Sequence, residues 1–490
     1  MSTLKKICKS FIAGQEVHSA SDSFLYPNLY PATNQVINQV AYATEDDLLH
    51  AEESSQQAFK PWSQLSMNQR SAILLKAAQL LRENLDYLAK LEVWDTGKPV
   101  TEALSVDVHS AADALEYFAK VALALEDNVT PHTHALIYSL REPLGVCIGI
   151  GAWNYPLQIA CWKAAPALVM GNTMVYKPSE LTPMTVLALA DIFLQAGMPP
   201  GVFNVVLGDG SVAEKLLNQP HIAKISFTGS VPTGQKILRQ AANRLLPVTL
   251  ELGGKSPLII FDDADIDQAV IGSMLANFYT QGEICSNGTR VFVARKIMDT
   301  FTAKLTARVK KLIIGDPFDP ATQVGALISQ PHMQKVLDYI ALGKREGAEL
   351  IQGGNAIQTA PLNQGNFVEP TIFAECHDDM VIVRDEIFGP VMSILVFDEE
   401  DEVISRANNT SYGLATGLFS ENIKRAHRVA KQLQAGVCWV NNYNVTPLGM
   451  PFGGQKHSGL GRENGAVALS NYSQLKSIYI ELGEIAHAYE

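Results

Sequence analysis

The segment 281–288 combines a cysteine with the small, polar neighbours that leave a thiol accessible. Cys285 lies in the run Gln-Gly-Glu-Ile-Cys-Ser-Asn-Gly, directly after a helical pattern over 265–280. The glycines let backbone N–H groups approach the sulfur, and such dipoles ionise a thiol below its reference pKa of about 8.5. A cysteine without this setting is usually a small buried apolar residue, which is how we interpret the other cysteines. Cys285 is therefore the predicted nucleophile.

Glu251 lies among leucine and glycine residues in the segment 250–257, directly after an apolar run. Removing a carboxylate from water is unfavourable, so burial at this position would raise its pKa toward the range of a general base. The alternative is a structural carboxylate paired with a neighbouring cation. Glu251 is a candidate general base.

The segment 227–234 reads as a strand, a glycine turn and the start of a helix. A helix N-terminus exposes unpaired N–H groups and the positive end of the helix dipole, which suits a pyrophosphate. Gly229 and Gly234 have the spacing of a P-loop, but Gln235 replaces the required lysine, so a P-loop is excluded. The segment 149–154 also misses the last glycine of G-x-G-x-x-G. A purely structural glycine turn is the alternative.

Two charged residues follow the predicted strand 173–176. At the carboxyl end of a strand, Lys177 and Glu180 are placed to hold a ribose. A carboxylate accepts hydrogen bonds from a ribose 2′-OH and repels a 2′-phosphate, so Glu180 favours NAD over NADP without excluding NADP. The alternative is an exposed turn with no ligand.

Short β-rich runs alternate with helical stretches from residue 145 onward. The runs lie at 146–150, 173–176, 225–228 and 258–261. Such alternation predicts an α/β fold with a parallel sheet. Upstream of it, helical periodicity covers 74–88 and 104–125, and strand-like runs lie at 26–28 and 36–40.

Glycines interrupt this alternation and suggest where units meet. Gly253 and Gly254 break the pattern near 251–257, and another run begins after Gly436. The segment 129–145 and the tail after 460 look extended and polar. We expect them to form arms that pack on another subunit.

Length and composition limit the class of protein. The chain has 490 residues, which predicts about two to four domains at roughly 100–200 residues per domain. Hydrophobic residues make up 47% and charged residues 18%, which excludes a disordered, collagen-like or coiled-coil chain.

Charge and cysteine usage narrow the partners and the compartment. The net charge of −12 argues against broad binding to a nucleic-acid backbone. The six cysteines form no C-x-x-C pair, which argues against a disulfide scaffold or a zinc ribbon and favours a reduced, cytoplasmic chain. No apolar run reaches about 18 residues and no signal peptide is recognised, so we expect no membrane partner.

Together these segments resemble the NAD(P)-dependent aldehyde dehydrogenase superfamily over essentially the whole chain. The most specific motifs, in the family's order, are Trp-Asn-Tyr-Pro at 153–156, Lys-Pro-Ser-Glu at 177–180, Phe-Thr-Gly-Ser at 227–230, Glu-Leu-Gly-Gly-Lys at 251–255, the Cys285 segment and Glu-Ile-Phe-Gly-Pro at 386–390. The resemblance implies a Rossmann-like NAD-binding domain, an α/β catalytic domain and a small β oligomerisation arm. The implied ranges are 1–128, 146–251 and 437–459 for the first, 252–436 for the second, and 129–145 and 460–490 for the arm of a homodimer or homotetramer.

The resemblance also implies a mechanism. The Cys285 thiolate would attack an aldehyde, while the Asn154 side chain and the Cys285 backbone N–H would hold the oxyanion. Hydride would pass to NAD, and Glu251 would activate water to hydrolyse the thioester. The residues expected to bind NAD are Gly151, Ala152, Trp153, Lys177, Pro178, Ser179, Glu180, Gly210, Gly229, Ser230, Glu386 and Phe388. Glu386 would hold the nicotinamide ribose and Phe388 would lie against the nicotinamide.

Four aromatic residues suggest the aldehyde. Tyr155, Trp162 and Trp439 stand where the betaine aldehyde dehydrogenases of this family carry an aromatic box, and Tyr279 lies six residues before Cys285, although such residues taken alone are more often core. Aromatic faces attract a quaternary ammonium by about 0.5–2 kcal/mol each. Cys438 and the run 162–168 are also similar to the bacterial members. The implied reaction is NAD-dependent oxidation of betaine aldehyde to glycine betaine, an osmoprotectant.

That branch implies further sites. Lys163 and Glu463 match a proton relay, with an ordinary ion pair as the alternative. Potassium would bind at two sites, largely through backbone carbonyls: Asn28, Leu29, Asp95 and Leu181 form one, and Leu245, Lys456 and Gly459 the other.

Other readings of the same residues stay open. The alternative substrate is an ω-aminoaldehyde such as 4-aminobutanal, whose N–H groups would need a carboxylate in the pocket as hydrogen-bond acceptor. A catalytically silent structural protein and a thiol esterase that never uses hydride are the alternatives from other classes. Retention of Cys285, Glu251 and Asn154 argues against a silent protein.

Overall fold

The structure is a computed structural model that describes residues 4–17 and 24–485. Numbered along the chain, its strands are β1 (Ile7–Cys8), β2 (Phe11–Ile12), β3 (Gln15–Glu16), β4 (Leu25–Tyr30), β5 (Gln35–Ala41), β6 (Val129–Pro131), β7 (Ala135–Pro143), β8 (Val146–Ile150), β9 (Thr173–Lys177), β10 (Phe203–Val205), β11 (Ile222–Thr228), β12 (Val248–Glu251), β13 (Pro257–Ile260), β14 (Arg290–Ala294), β15 (Glu349–Gln352), β16 (Thr371–Ala374), β17 (Val391–Phe397), β18 (Ala415–Phe419), β19 (Val437–Val440), β20 (Gly459–Leu460) and β21 (Ser473–Glu481).

The helices are numbered in the same way. They are α1 (Glu45–Gln64), α2 (Met67–Glu83), α3 (Leu85–Thr96), α4 (Val100–Glu102), α5 (Val108–Val121), α6 (Pro156–Val169), α7 (Met184–Gln195), α8 (Gly210–Leu217), α9 (Val231–Ala242), α10 (Ile266–Leu275), α11 (Met298–Val309), α12 (Gln330–Arg345), α13 (Val381–Arg384), α14 (Glu400–Asn408), α15 (Ile423–Gln432) and α16 (Val467–Ser470). A π-helical turn, Ala103–Asp107, joins α4 to α5.

The first large sheet has the strand order β20-β12-β11-β8-β9-β10-β2-β3. Its five central strands, β12 to β10 in that order, run parallel, and the outer pairings of β20, β2 and β3 are antiparallel. Helices cover both faces: Cys147 and Met174 pack with the α6 core, whereas Ile148 and Val175 pack with Leu48 of α1. Burial on both faces explains why the central strands read as continuous apolar runs.

The second large sheet has the order β15-β16-β17-β14-β13-β18-β19, and β15 alone is antiparallel to its neighbour. The chain passes from the first sheet to the second between Glu251 and Pro257. The prediction of an α/β fold with parallel sheets is confirmed.

One predicted boundary is wrong. The sequence placed 437–459 with the nucleotide-binding unit, but β19 pairs in parallel with β18 of the second sheet. The chain returns to the first sheet only at β20, where Gly459 pairs with Glu251. An apolar four-residue strand carries no local signal of the sheet it joins, because strand pairing is decided by partners distant in sequence.

Two small sheets complete the molecule. One has the order β1-β5-β4, and the other has the order β21-β7-β6 and is built from the two segments expected to form an arm. Large apolar side chains of that second sheet face solvent: Leu475 is 60% exposed and Tyr479 is 61% exposed. Residues 486–490 of the predicted arm lie outside the described residues.

Helix α1 has no counterpart in the sequence prediction. Its start carries a capping box, in which Thr44 Oγ1 accepts from the Asp47 N–H at 3.2 Å and the Asp47 carboxylate accepts from the Thr44 N–H at 2.8 Å. Its buried face is made mostly of small or polar residues together with Trp62, so the apolar periodicity is weak. Two of the predicted helical stretches are shorter in the structure. The stretch 74–88 is divided at Asn84, between α2 and α3, and the stretch 265–280 is helical only as far as Leu275, where α10 ends.

In the part of the chain that the structure describes, no helix is both long and apolar enough to cross a membrane.

Trp62 provides a test of how α1 is anchored. Its indole is fully buried and its N–H donates to the Leu168 carbonyl of α6 at 3.0 Å. We expect Trp62→Ala to lower the free energy of unfolding by about 3–5 kcal/mol, because it leaves a large cavity and removes the hydrogen bond. Tyr87→Ala, at an aromatic residue that is 43% exposed, should change it by less than about 0.5 kcal/mol. Urea unfolding measures both, and a loss below about 1 kcal/mol for Trp62→Ala would contradict this role.

Candidate active site

The carboxyl ends of the parallel strands of the first sheet open onto one edge, where ligands of α/β proteins usually bind. A cavity of about 570 Å³ lies at this edge and is closed from the other side by loops of the second sheet. It is lined on one side by residues that follow β8, β11 and β12, and on the other by the segment around Cys285 and the segment 386–388. The topology therefore brings together residues that are more than 200 positions apart in sequence, such as Asn154 and Glu386.

Cys285 lies in the loop before β14 and borders the cavity with a partly buried side chain. Burial raises the pKa of its thiol to about 12, and the nearby charges of Glu386 and Glu251 act in the same direction. The backbone N–H groups of Cys285 and Ser286 oppose this by stabilising the thiolate. At that pKa the thiol is protonated near neutral pH, so a base would have to take its proton before it could act as a nucleophile.

Asn154 is held in the cavity wall between β8 and α6. Its side-chain amide donates to the Glu283 carbonyl at 2.9 Å, which ties it to the loop that carries Cys285. An amide has two N–H groups, so the second remains for a ligand in the cavity. The arrangement is suited to stabilising a negative oxygen formed at the carbon bonded to the Cys285 sulfur.

Glu251 ends β12 and is buried in the cavity wall. Neither of its carboxylate oxygens has a hydrogen-bond partner among the described residues. Burial raises its pKa well above the ordinary value, and the negative charge of Glu463 adds to the effect. The carboxylate fits closely against Gly453, where a Cβ atom would lie 2.6 Å from Glu251 Oε1. An unpaired buried carboxylate with a raised pKa is poised to take a proton from water.

Lys163 and Glu463, 300 positions apart, form a buried ion pair beside Glu251. Ser226 connects them: Lys163 Nζ donates to its hydroxyl at 3.1 Å, and the hydroxyl donates to Glu463 Oε1 at 3.2 Å. Glu463 borders the cavity, whereas Lys163 lies behind it. The two predicted relay residues therefore share one hydrogen-bonded group, and sequence reasoning missed Ser226.

The predicted cofactor residues lie along the same sheet edge. Gly229 and Ser230 precede α9 and border the cavity, as do Ala152 and Trp153 after β8. A second group lies further along the edge, outside the cavity: Gly151, Lys177, Pro178, Ser179, Glu180 and Gly210.

Two charged side chains face each other in that second group. Lys177 Nζ lies 3.8 Å from Glu180 Oε2 and donates to the Pro178 carbonyl at 2.9 Å. Glu180 keeps part of its carboxylate exposed, so it can accept from hydroxyl groups of a ligand. The open helix N-terminus at Ser230, whose side chain does not cap α9, is free to bind a phosphate.

Glu386 and Phe388 reach the cavity from the second sheet. Glu386 Oε1 accepts from the Gly254 N–H at 3.0 Å, and a Cβ atom on Gly253 would lie only 2.0 Å from its other oxygen, so a larger residue there would displace the Glu386 carboxylate. Phe388 has a φ of 61° and packs edge-on against Trp153, with ring centroids 5.2 Å apart.

His332 is a cavity residue that sequence reasoning missed. The distance between its Nε2 and the Phe388 carbonyl oxygen is 2.7 Å. Burial lowers its pKa to about 4, so the imidazole is neutral and its Nε2–H can donate to that carbonyl. Only its place in the first turn of α12 could have drawn attention to it, and that position is not diagnostic.

The aromatic wall differs from the prediction at one residue. Tyr155, Trp162 and Tyr279 border the cavity, but Trp439 does not. Trp439 packs behind Tyr443, with ring centroids 4.8 Å apart, and its indole N–H donates to the Val445 carbonyl at 2.7 Å. Tyr443, four residues later, borders the cavity. Phe452 also borders the cavity and packs against Trp162, with the ring centroids 5.6 Å apart.

Two of the four residues of the first predicted cation site, Asn28 and Asp95, are in direct contact. Asp95 is buried, and its carboxylate accepts from Asn28 Nδ2 and from the Met184 N–H, each at 2.8 Å. Burial raises its pKa to about 7, and the nearby Asn38 Oδ1 has no hydrogen-bond partner among the described residues. A buried acidic group with an unused amide oxygen beside it fits a monovalent cation. Leu29 and Leu181 flank this cluster in sequence.

The second predicted cation site is not assembled within one chain. Leu245 is 89% exposed and precedes β12, whereas Gly459 pairs with the residue at the opposite end of that strand. The Lys456 ammonium donates to the carbonyls of Asn408 and Thr410, so only its backbone could face a cation. Over residues 4–17 and 24–485, no group of three or more His, Cys, Asp or Glu side chains is arranged to hold a metal ion.

Comparisons with known proteins agree with this geometry. A model of the aldehyde dehydrogenase family matches residues 17–478. The betaine aldehyde dehydrogenase of Vibrio vulnificus (strain YJ016) is 53% identical over 486 residues, which cover 99% of this chain and 100% of the relative. The NAD+ complex of aldehyde dehydrogenase from Bacillus cereus has a TM-score of 0.95 at 40% identity and covers 98% of each chain. Indole-3-acetaldehyde dehydrogenase in complex with NAD+ has a TM-score of 0.95 at 39% identity, over 98% of this chain and 97% of that one. The chain belongs to the aldehyde dehydrogenase family.

Proposed function

We propose that this protein oxidises betaine aldehyde to glycine betaine with NAD as the hydride acceptor. The observation that carries the proposal is the convergence of the Cys285 thiol, the Asn154 amide and the unpaired Glu251 carboxylate on one cavity with an aromatic wall. The full-length relative from Vibrio vulnificus, 53% identical and named betaine aldehyde dehydrogenase, supports the choice of aldehyde.

The residues of the cavity account for each step that the protein performs. Cys285 attacks the aldehyde carbon after losing its proton, for which Glu251 is the candidate base in the cavity, and the second N–H of Asn154 donates to the new oxyanion. NAD, when bound, accepts the hydride that leaves this carbon. Glu251 then takes a proton from a water molecule, which attacks the thioester and releases Cys285. After each of these two proton transfers Glu251 passes its proton on to the Glu463 carboxylate, which is paired with the Lys163 ammonium, so that Glu251 is in its basic form again before it next acts.

The residues along the sheet edge fit NAD. The open N-terminus of α9 at Ser230 suits a pyrophosphate, and the buried Thr228 hydroxyl beside it has no partner among the described residues. Glu180 would accept from the adenosine ribose, and Glu386, oriented by the Gly254 N–H, from the nicotinamide ribose.

The aromatic wall favours a quaternary ammonium over a primary one. Tyr155, Trp162, Tyr279 and Tyr443 offer ring faces and edges, to which a trimethylammonium group can bind without hydrogen bonds. The carboxylates that border the cavity are Glu251, Glu386 and Glu463, and each has a role in the mechanism above. No further carboxylate among the cavity-lining residues is left to accept from the N–H groups of an ω-aminoaldehyde.

The three units would divide this work. The first sheet would bind NAD, the second would carry Cys285, and the exposed apolar face of β21 and β7 would pair with another copy of the chain in a homodimer or homotetramer. We further propose that potassium binds at Asp95 and Asn28. An acidic protein of this kind would work in the cytoplasm, where Cys285 stays reduced.

A substrate panel tests the proposed function. We expect NADH formation at 340 nm with betaine aldehyde, at a kcat/KM at least about tenfold above that for 4-aminobutanal, because the wall lacks an acceptor for N–H groups. Cys285→Ala should abolish the signal with both aldehydes. A preference of about tenfold for 4-aminobutanal would contradict the choice of substrate, and hydrolase activity without NAD together with no NADH would contradict the oxidation.

Glu251→Gln should slow both half-reactions. The amide keeps the shape of the side chain but cannot take a proton from the thiol or from water, so the NADH burst and the steady-state rate after it should both fall by about 100-fold or more. In the unmodified enzyme the burial that raises the pKa of Glu251 makes its basic form disappear as the pH falls through that raised value, so the steady-state rate should fall with pH. Stopped-flow absorbance measures the burst. A steady-state rate for Glu251→Gln within about twofold of wild type would rule out this assignment.

Glu180→Ala should relax the choice of cofactor. Removing the carboxylate removes both the acceptor for the 2′-OH and the repulsion of a 2′-phosphate. We expect the ratio of kcat/KM for NADP to that for NAD to rise by about tenfold or more. Glu214→Ala, at an acidic residue on α8, controls for the change in net charge. An unchanged ratio would place the ribose elsewhere.

A further inference from the structure

A short segment beneath the cavity carries three fully or nearly fully buried charges. Lys98 precedes α4, Glu102 is the last residue of α4, and Asp107 is the last residue of the π-helical turn Ala103–Asp107. We call these three residues the 98–107 clamp. π-Helical turns are rare and occur frequently at functional sites. The Lys98 ammonium forms an ion pair with the Asp107 carboxylate, and both side chains are inaccessible to solvent.

Lys98 reaches the loop that carries the oxyanion-binding amide. Its Nζ donates to the Asn154 backbone carbonyl at 2.8 Å and lies 3.9 Å from the centre of the Tyr155 ring. The side-chain amide of Asn154 is held from the opposite direction by the Glu283 carbonyl. The position of Asn154 is therefore set by one contact to its backbone and one to its side chain.

Glu102 reaches the loop that leads to the nucleophile. Its carboxylate accepts from the Thr280 N–H at 3.2 Å and from the Thr280 hydroxyl at 2.9 Å. Thr280 and Gln281 have φ values of 48° and 52°, a left-handed backbone that is unfavourable for residues other than glycine and persists only when surrounding contacts hold it. The Thr280 hydroxyl also lies 2.7 Å from the Tyr155 hydroxyl, so the two loops meet there.

We propose that Lys98 and Glu102 are positioning residues that hold the Asn154 loop and the Cys285 loop in the relative geometry needed for attack and oxyanion stabilisation. The proposal rests on the oxidation mechanism above. A buried ion pair contributes little net stability, since the desolvation of both charges offsets their attraction. Misplacing a reacting group by about 1 Å, in contrast, slows a reaction by about 100-fold. The clamp touches neither the reacting atoms nor the sheet edge that would bind adenosine.

The first test removes the Lys98–Asp107 ion pair as a unit, so that neither of these two partners is left without the other. We expect the double variant Lys98→Met/Asp107→Asn to fold and to lose about 100-fold in kcat, while the KM for NAD stays within about threefold of wild type. The loss should be the same factor for propanal as for betaine aldehyde, because the oxyanion and the thiol are common to both. Arg70→Met is the matched control: Arg70 is a buried cation that donates to the Val169, Ser63 and Leu65 carbonyls away from the site, and it should leave kcat unchanged.

A milder pair of variants covers the case in which the double variant does not fold. Thr280→Val keeps the branched shape but removes the hydroxyl that contacts both Glu102 and Tyr155, and it should lower kcat by about tenfold. Thr280→Ser restores a hydroxyl and should recover most of that loss, which a purely structural role would not predict.

The outcomes separate the two proposals. A folded double variant with kcat within about threefold of wild type, or equal kcat values for Thr280→Val and Thr280→Ser, would overturn the clamp. If the wild-type enzyme oxidises propanal but not betaine aldehyde, the substrate assignment fails, while the propanal measurements still decide the role of Lys98 and Glu102.

Discussion

The site depends on one topological constraint, which is that parallel strands point their carboxyl ends in the same direction. In the first sheet this places the residues that follow β8, β11 and β12 on a single edge, and the second sheet presents the Cys285 loop and Glu386 to it. A thiol, an amide and a carboxylate from three distant segments can then share one cavity. Small residues let the loops approach one another closely, as at Gly253, where a side chain would displace the Glu386 carboxylate.

Burial of charge is what makes this edge reactive. Glu251 has no hydrogen-bond partner among the described residues, Glu463 is paired with Lys163, and Cys285 lies near two carboxylates. In water each of these groups would titrate near its ordinary pKa, independently of the others. In the closed space between the two sheets they shift each other's pKa values, so that Glu251 becomes a stronger base and the thiol must give up a proton before it reacts.

Local motifs were sufficient to predict the chemical groups and the α/β class, but not the neighbours of those groups. Cys285, Asn154 and Glu251 could be named because their sequence contexts are short and self-contained. Trp439 was expected to border the cavity, but it packs against Tyr443, which borders the cavity, and local sequence does not reveal such packing. His332 and Ser226 were missed because nothing in their local sequence marks them. Helix α1 was missed because its buried face is made mostly of small residues.

The sequence by itself determined the family resemblance and the parallel α/β architecture and predicted the reactive groups, because these depend on residue type and on periodicities of a few residues. Only the tertiary structure decided that β19 belongs to the second sheet, that Ser226 joins Lys163 to Glu463, and that one short segment contacts both Asn154 and Thr280. The physical reason is that strand pairing, ion pairing and burial are relations between residues far apart in the chain, and no local pattern encodes the partner.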